Sequence, residues 1–482
     1  MERKIISGHF GEASEIASIK NISVRYLYRG INYFQENDFN NALLCFLQSL
    51  DYDKSNHETF SAIGSVFLQQ GKFHDAVKMF KDAVSLDDKV SIYHYNLGVA
   101  FTQLDLIDEA KNAYKECLKI DPKNKKALKF LGNCYKDLKY FNEALRTYRK
   151  LEKLDPKNPE PIIAQSQIHL RLGRFNIGWK LYEAGLKNDI RKPFEGYYSE
   201  TKPIWDGIPF DGSLLVYGEQ GIGDQIIFGT VLPELIEKQK NVSLKVDERL
   251  VPLFRETFPE LTIYSEQCPV PKTNYDKFIS LGSLCKFYRN HTNDFLKSKF
   301  RKYKVNPSNN IKINSIMSKI NGFKVGISWH SFSTFSGRQR CLSTDDLSRI
   351  VSIENINFIN IQYGSVSKQV NEIKLLSGKD ILKIPFVDVT KDLLSLASII
   401  NNCDLVITVD NATAHLAASL GKTVWVLLPY SADFRWMEDI NPTLWYDNAT
   451  IIRQKEIGNW TSVVNTICDA FKDSNLRKID AK

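Results

Sequence analysis

Five columns of residues repeat at a spacing of 34 along the first part of the chain. Gly30, Gly64, Gly98 and Gly132 are 34 apart; so are Tyr33, Phe67, Phe101, Tyr135 and His169, and so are Ala42, Ala76, Ala110, Ala144 and Gly178. Phe46, Phe80, Tyr114, Tyr148 and Tyr182 form a fourth column, and Asp53, Asp87, Asp121 and Asp155 mark a turn. A fixed period of this length is one supersecondary unit that cannot bury its apolar face alone, so copies stack and share a continuous core. The columns therefore predict a stack of like units.

Glycine, an aromatic three on, alanine nine later and an aromatic four after that resembles the tetratricopeptide repeat, which implies an α-helical solenoid whose small residues let paired helices pack closely, and Pro122 and Pro156 fall where that family's terminal proline lies. The fifth register departs from it. Ser166 replaces the glycine, and the run from Arg171 to Glu183 holds Phe175, Trp179 and Tyr182. Terminal repeats are often atypical because they cap the stack, which predicts that this one docks onto the next domain. A solenoid presents a concave surface that holds a partner, often an extended polypeptide. Beyond it, Asp189 to Gly212, with three prolines, reads as a linker. The expected bounds are 1–190 for the repeats, with registers from 23, and 191–212 for the linker.

With 482 residues, 43% hydrophobic and 25% charged, the chain is long enough for about three domains at roughly 150 residues each. A net charge of +8 with dispersed lysines points to anionic ligands in a cleft, not to a nucleic-acid surface. The Lys297 to Lys304 cluster reads as a solvated linker face. The eight cysteines lie far apart, with no CxxC pair and no histidine at metal-ligand spacing, so neither a disulfide framework nor a zinc site is expected. Reduced thiols, no leader at Met1 to Lys20 and no apolar run of spanning length imply a cytoplasmic protein with at most peripheral membrane contact.

Past the linker, apolar strands alternate with amphipathic helices, which predicts parallel, doubly wound sheets. Strands are expected at Ser213 to Tyr217, Val242 to Val246, Leu261 to Tyr264, Lys277 to Ser280, Lys324 to Trp329, Asn357 to Gln362, Ile381 to Pro385, Asp404 to Val409 and Thr423 to Leu428. A break near Lys304 to Asn310 divides them into two Rossmann-like halves, 213–305 and 311–476. In the first half, a strand opens into Gly218-Glu-Gln220-Gly221-Ile-Gly223-Asp224, and a helix follows. Glycines there let the backbone approach a ligand, and Asp224 places a carboxylate in the crevice. In the second half, a buried strand ends in Asp410-Asn411-Ala412-Thr413-Ala-His415. Asp410, Asn411 or Thr413 could cap the helix, leaving its N–H groups and dipole to meet a diphosphate with His415 nearby. A third loop, His330 to Ser343, carries Arg338 and Arg340, whose planar forks suit phosphate oxygens.

Trp205 with Gly207, Gly218 to Asp224, Gly326-Ile-Ser-Trp329, Arg340-Cys-Leu342, Asp404 to Asp410, His415-Leu-Ala-Ala, Val424 to Pro429, Phe434-Arg435-Trp436 and Trp445-Tyr446 together look like bacterial tetratricopeptide-repeat proteins with a glycosyltransferase domain. That domain is similar to the ADP-heptose:lipopolysaccharide heptosyltransferase family, of two-Rossmann GT-B architecture, and the resemblance as a whole, repeats included, covers residues from about 23 to 475. The resemblance implies an inverting, metal-independent transferase with a nucleotide-sugar donor and no cofactor. Asp224 would be the general base on the acceptor hydroxyl. Residues Asp410 to His415, with the arginines and Trp329, would bind the donor. Asn411 stands where that family usually has threonine, and Cys341 where serine commonly follows the arginine, so donor choice is open.

Displacement at an anomeric carbon needs a base on one face and a stabilised diphosphate on the other, which Asp224 and the Asp410 helix could supply from opposite halves. Trp425, Trp436, Trp445 and Tyr446 are candidates for stacking on sugar or base, with core packing preferred for Trp425. The only Asp-x-Asp, at Asp51 and Asp53, falls on the repeat's turn. Two other classes compete. Gly218-x-x-Gly221-x-Gly223 followed by Asp247 approaches the dinucleotide-binding fingerprint of an oxidoreductase, and a scaffold that only binds a sugar nucleotide would have the same sequence. The acceptor, protein or glycan, would be presented by the repeats.

Overall fold

In the computed structural model, residues 21–188, 191, 202–298, 300–306, 310–332, 338–438, 440 and 443–472 are described. Residues 192–201 of the expected linker, and the arginine loop between 333 and 337, lie outside them. The chain divides into two compact units between Pro161 and Ile162.

The first unit is built of helix pairs: α1 (Ile22–Gln35) with α2 (Phe39–Tyr52), α3 (His57–Gln69) with α4 (Phe73–Leu86), α5 (Ser91–Gln103) with α6 (Ile107–Ile120), and α7 (Lys125–Asp137) with α8 (Phe141–Leu154). Each column has a physical job. A Cβ at Gly64, Gly98 or Gly132 would come within 2.8, 2.6 and 2.5 Å of the ring of Phe80, Tyr114 or Tyr148, so the glycine and aromatic columns are one contact made repeatedly. Ala42, Ala76, Ala110 and Ala144 have no exposed surface at all, which leaves no room for a longer side chain. The aspartates end the second helices. Their carboxylates accept from the N–H two residues on, at Ser55 (2.9 Å), Lys89 (2.9 Å) and Lys123 (3.1 Å), the local turn that Asp forms best.

The fifth pair, α9 (Glu160–Arg171) and α10 (Phe175–Tyr182), falls almost wholly in the second unit. Ser166 Oγ donates to the Gly178 carbonyl (2.8 Å), replacing the glycine–aromatic contact of the other pairs. Tyr182 is thereby released to donate to Gln220 Oε1 (3.0 Å). Leu170, Phe175, Trp179 and Tyr182 join the core of the α/β region, with the Phe175 and Phe295 rings 4.9 Å apart. Packing thus sets the division earlier than the residue 190 suggested by the repeat register.

The second unit holds two parallel sheets. The first contains β1 (Leu214–Tyr217), β2 (Val242–Val246), β3 (Thr262–Ser265) and β4 (Lys277–Ser280) in the order β3-β2-β1-β4. The second contains β5 (Phe323–Ser328), β6 (Ile356–Asn360), β7 (Leu405–Val409), β8 (Val424–Leu428) and β9 (Ala449–Arg453) in the order β6-β5-β7-β8-β9. Two expectations are corrected. Ile381 to Pro385 is not a strand: Leu382 makes a single bridge to Ile359, after which Pro385 has no N–H to donate and Phe386 turns the chain away at φ 59°. Ala449–Arg453, unmarked in the sequence reading, is the edge strand beside β8. Among the described residues, no helix is long and apolar enough to cross a membrane.

Candidate functional site

Strand order locates the crevices. In each sheet the chain's direction of winding reverses beside the first strand, between β1 and β4 and between β5 and β7, and ligands of open parallel sheets collect beyond the carboxyl ends of the strands there. The Gly218 loop follows β1 and the Asp410 loop follows β7. The helices that leave them, α11 (Ile222–Gly229) and α12 (Ala412–Ser419), meet face to face: a Cβ on Gly223 would lie 3.3 Å from His415 Cδ2 and 3.4 Å from Ala412 Cα. The two loops therefore form one site.

The glycine loop is held by protein groups. A Cβ on Gly218 would strike the Gln225 side chain at 2.6 Å, and Gln225 Oε1 accepts from Asp247 N (2.9 Å). Gln220 sits at φ 62°. The Glu219 carboxylate is buried against Arg191 (2.6 Å) and accepts from Gly282 N (3.0 Å). The closest approaches made by Gly218 and Gly223 are thus to Gln225 and to α12, where the sequence reading expected a ligand. Asp224 occupies the third position of α11, where Oδ2 accepts from Gly221 N (3.1 Å), and Oδ1 meets Arg435 Nη2.

Across from it, Asn411 is the cap among the three candidates. Its Oδ1 accepts from Thr413 N (2.9 Å) while its amide donates to Ser328 Oγ (2.9 Å) and to the His330 carbonyl (3.3 Å), tying the β7 loop to the end of β5. Asp410 instead accepts from Trp436 Nε1 (2.7 Å) and pairs with Arg340 Nη1 (3.2 Å). His415 stacks on Trp436, with rings 4.8 Å apart and 7° from parallel, and its Nδ1 is 3.4 Å from the Tyr446 hydroxyl. Trp329 lies elsewhere, buried in the core under the second sheet with Nε1 donating to Gln369 (3.2 Å). Arg338 opens the short turn Arg338–Arg340, and its side chain is outside the described residues. Trp425 is likewise core, and so is Trp445, whose ring packs 5.0 Å from Phe295.

Asp433 and Arg435 complete the site and were not singled out beyond the Phe434-Arg435-Trp436 run. Arg435 binds Asp433 (2.5 Å) as well as Asp224, and Arg340 Nη2 reaches Asp433 at 3.9 Å. The result is a chain of alternating charges, Asp224, Arg435, Asp433, Arg340 and Asp410, drawn from both halves. An acid and an arginine in the loop after the buried strand β8 occupy the same sheet edge as the two loops recognised, which was the available signal. Burial pushes the carboxyls of Asp224 and Asp410 up, against the pull of Arg435 and Arg340 respectively. At Asp433 burial also acts upward, but the two guanidiniums outweigh it and hold the carboxyl at about 2. Burial, seconded by Arg435, depresses His415 to about 3, so its imidazole is neutral and cannot serve as a cation toward an anion.

Two cavities line the cleft. One of about 440 Å³ lies at the carboxyl end of β6, walled by Asn360, Gln362, Ser367, Asn371, Lys383 and Asp388. A smaller one of about 210 Å³ shares Val389 and Thr390 with it and ends at Ile222, Ala412 and Thr413. Gln362 links the larger cavity to the site by accepting from the backbone N–H groups of Trp329 and His330, each at 2.8 Å.

Models of the tetratricopeptide repeat match residues 91–124, 57–90 and 127–158. The protein FlbA of Caulobacter vibrioides is 26% identical over 329 residues, which cover 64% of this chain and 54% of FlbA. The chain thus spans about half the length of that relative, and the matched stretch is longer than the first unit, so it takes in part of the second. A crystal structure of MamA is 22% identical with a TM-score of 0.32, covering 34% of this chain and 95% of its own. A tetratricopeptide-repeat protein of Parabacteroides merdae is 17% identical with a TM-score of 0.33, covering 35% and 68%. The chain is a tetratricopeptide-repeat solenoid followed by an α/β region with two parallel sheets.

Proposed function

We propose that the second unit is a glycosyltransferase that moves a sugar from a nucleotide-sugar donor to an acceptor hydroxyl with inversion and without a metal, and that the repeats recruit the acceptor or a protein partner. The observation that carries this reading is the meeting of the two switch-point loops, with Asp224 on one side and the N-terminus of α12 on the other, Gly223 lying against Ala412. The larger cavity suits a nucleoside, and the smaller one leads from it to the start of α12 at Ala412, where a diphosphate gains most from the helix dipole. Asp224 takes the proton of the acceptor hydroxyl. The hydroxyl oxygen forms its bond to the anomeric carbon as the bond to the diphosphate oxygen breaks, and the departing electron pair stays on the diphosphate, held by α12 and an arginine.

A second reading is favoured by one contact. Asp224 both caps α11 and pairs with Arg435, as a purely structural carboxylate would, and this suits a unit that binds a sugar nucleotide without turning it over. The oxidoreductase reading loses its acid: Asp247 accepts from Arg249 N, Nε and Nη2 at 3.0, 2.9 and 2.8 Å, so both of its oxygens are engaged. A screen of nucleotide sugars, with and without chelator, tests the proposal. Release of nucleoside diphosphate should survive chelation and fall by at least about 10²-fold in Asp224→Ala. Binding without turnover in the wild type would select the second reading, and no binding of any nucleotide would end both.

A further inference from the structure

Arg340 and Arg435, the described guanidiniums of the charge chain, each already have a carboxylate. Arg340 pairs with Asp410 inside the second half, where the aspartate side chain keeps only 4% of its surface, and the backbone carbonyl of Asp410 lies 3.4 Å from the same Nη1. Arg435 pairs with Asp433 two residues away, which also accepts from Arg435 N (3.1 Å), a contact local to one turn. Its other partner is different. Asp224 belongs to the first half, so among the described pairs of the cluster this one alone joins the halves. Arg435 Nε has no hydrogen-bond partner among the described residues although it is buried, so the guanidinium has unused donor capacity.

A diphosphate entering at α12 brings oxygens that must compete with a carboxylate for an arginine. The competition is cheapest at the pair between halves, because no contact within one half holds its two partners together. A base paired with a guanidinium is also a poor base, because the cation stabilises the carboxylate against taking up a proton.

Resting on the glycosyltransferase reading, we infer that Arg435 is the arginine that binds the donor diphosphate, and that it does so by leaving Asp224, so that donor binding releases the base for the acceptor. The acceptor hydroxyl then finds a free carboxylate only when the donor is in place, and a water molecule cannot be activated at an empty site. Asp433 keeps hold of Arg435 through the exchange and limits its travel.

The test is the affinity of the full-length protein for inorganic pyrophosphate and for UDP, GDP, ADP, CDP and dTDP, measured by calorimetry. Removing the competing charge in Asp224→Asn should tighten binding of pyrophosphate and of the preferred nucleoside diphosphate by about tenfold, a gain that damage to the fold would not produce. Arg435→Ala should weaken both, and Arg435→Lys should recover part of the loss. Unchanged or weaker binding in Asp224→Asn, with wild-type binding intact, overturns the exchange and leaves the glycosyltransferase reading standing. Absence of binding by every probe to the wild type overturns both.

Discussion

His415 shows how one side chain can be misread from its position in the chain. It lies in the first turn of α12, where a protonated imidazole would face an incoming anion, yet it is stacked on Trp436 and buried among Arg435, Arg340 and Tyr446. Burial is the largest cause of its depressed pKa, and nearby guanidiniums add to it. The folded-state value of about 3 lies below the ordinary 6.5, so the stability that neutral His415 contributes is fully present above pH 6.5. Between 6.5 and 3 the unfolded chain takes up a proton that the folded chain refuses, and that stability is lost as the pH falls. Denaturant midpoints from pH 7.5 to 4.5 should therefore drop more steeply for the wild type than for His415→Phe. The difference should approach about 1.4 kcal/mol per pH unit below 6.5; parallel curves would mean that the imidazole titrates normally. At the same scale, Gly132→Ala puts a methyl 2.5 Å from the Tyr148 ring, and should cost about 1–3 kcal/mol through overpacking, seen as a lower midpoint of the first unit's unfolding.

At the level of elements, α9 acts as a brace for the loop that carries the charges. Arg171 Nε donates to Glu438 Oε2 (2.6 Å) and Nη1 to Ser431 Oγ (2.9 Å), while Glu438 N donates to the Arg171 carbonyl (3.0 Å). The two side chains keep 4% and 8% of their surface. Ser431 and Glu438 bracket Asp433, Arg435 and Trp436, so the fifth helix pair holds the site's second loop as Tyr182 holds its first. Arg171→Ala would take a guanidinium away from a buried carboxylate and should destabilise the second unit by about 3–5 kcal/mol, whereas replacing both partners with apolar residues of similar volume should be close to neutral. A double-mutant cycle in denaturant checks this, and an additive cycle would deny the brace. The repeat and the two switch-point loops were readable because each rests on local chemistry: small residues where helices close, an acid in the first turn, a buried strand before it. Arg435, Arg191 and the Ile381 to Pro385 segment were not, since their roles depend on partners 28 to 211 positions away in the chain or on a bridge of one residue. Sequence patterning reports which face of an element is buried but not which side chain waits on the other side.

For the molecule's second unit, the contact of α11 with α12 sets how closely the halves approach. At Gly223 the missing side chain leaves 3.3 Å to the His415 ring and 3.4 Å to the Ala412 backbone for any Cβ. One extra methyl would need a few tenths of an ångström of yielding from packed neighbours. A leucine would need several ångströms, and neither α12, buried along its length from Thr413 to Ser419, nor β7 behind it can move that far without losing core. The halves would therefore separate in Gly223→Leu while each keeps its own sheet. The cavity at the end of β6 is walled by residues of the second half alone, so nucleoside diphosphate affinity should be at least that of the wild type, since separation also frees Arg435 from Asp224. Transfer, which needs Asp224 and the anomeric carbon within bonding reach, should fall by about 10²-fold, because misplacement by as little as an ångström carries a loss of that size. Equal losses in binding and turnover would show that Gly223 serves folding of the second half and not the meeting of the two.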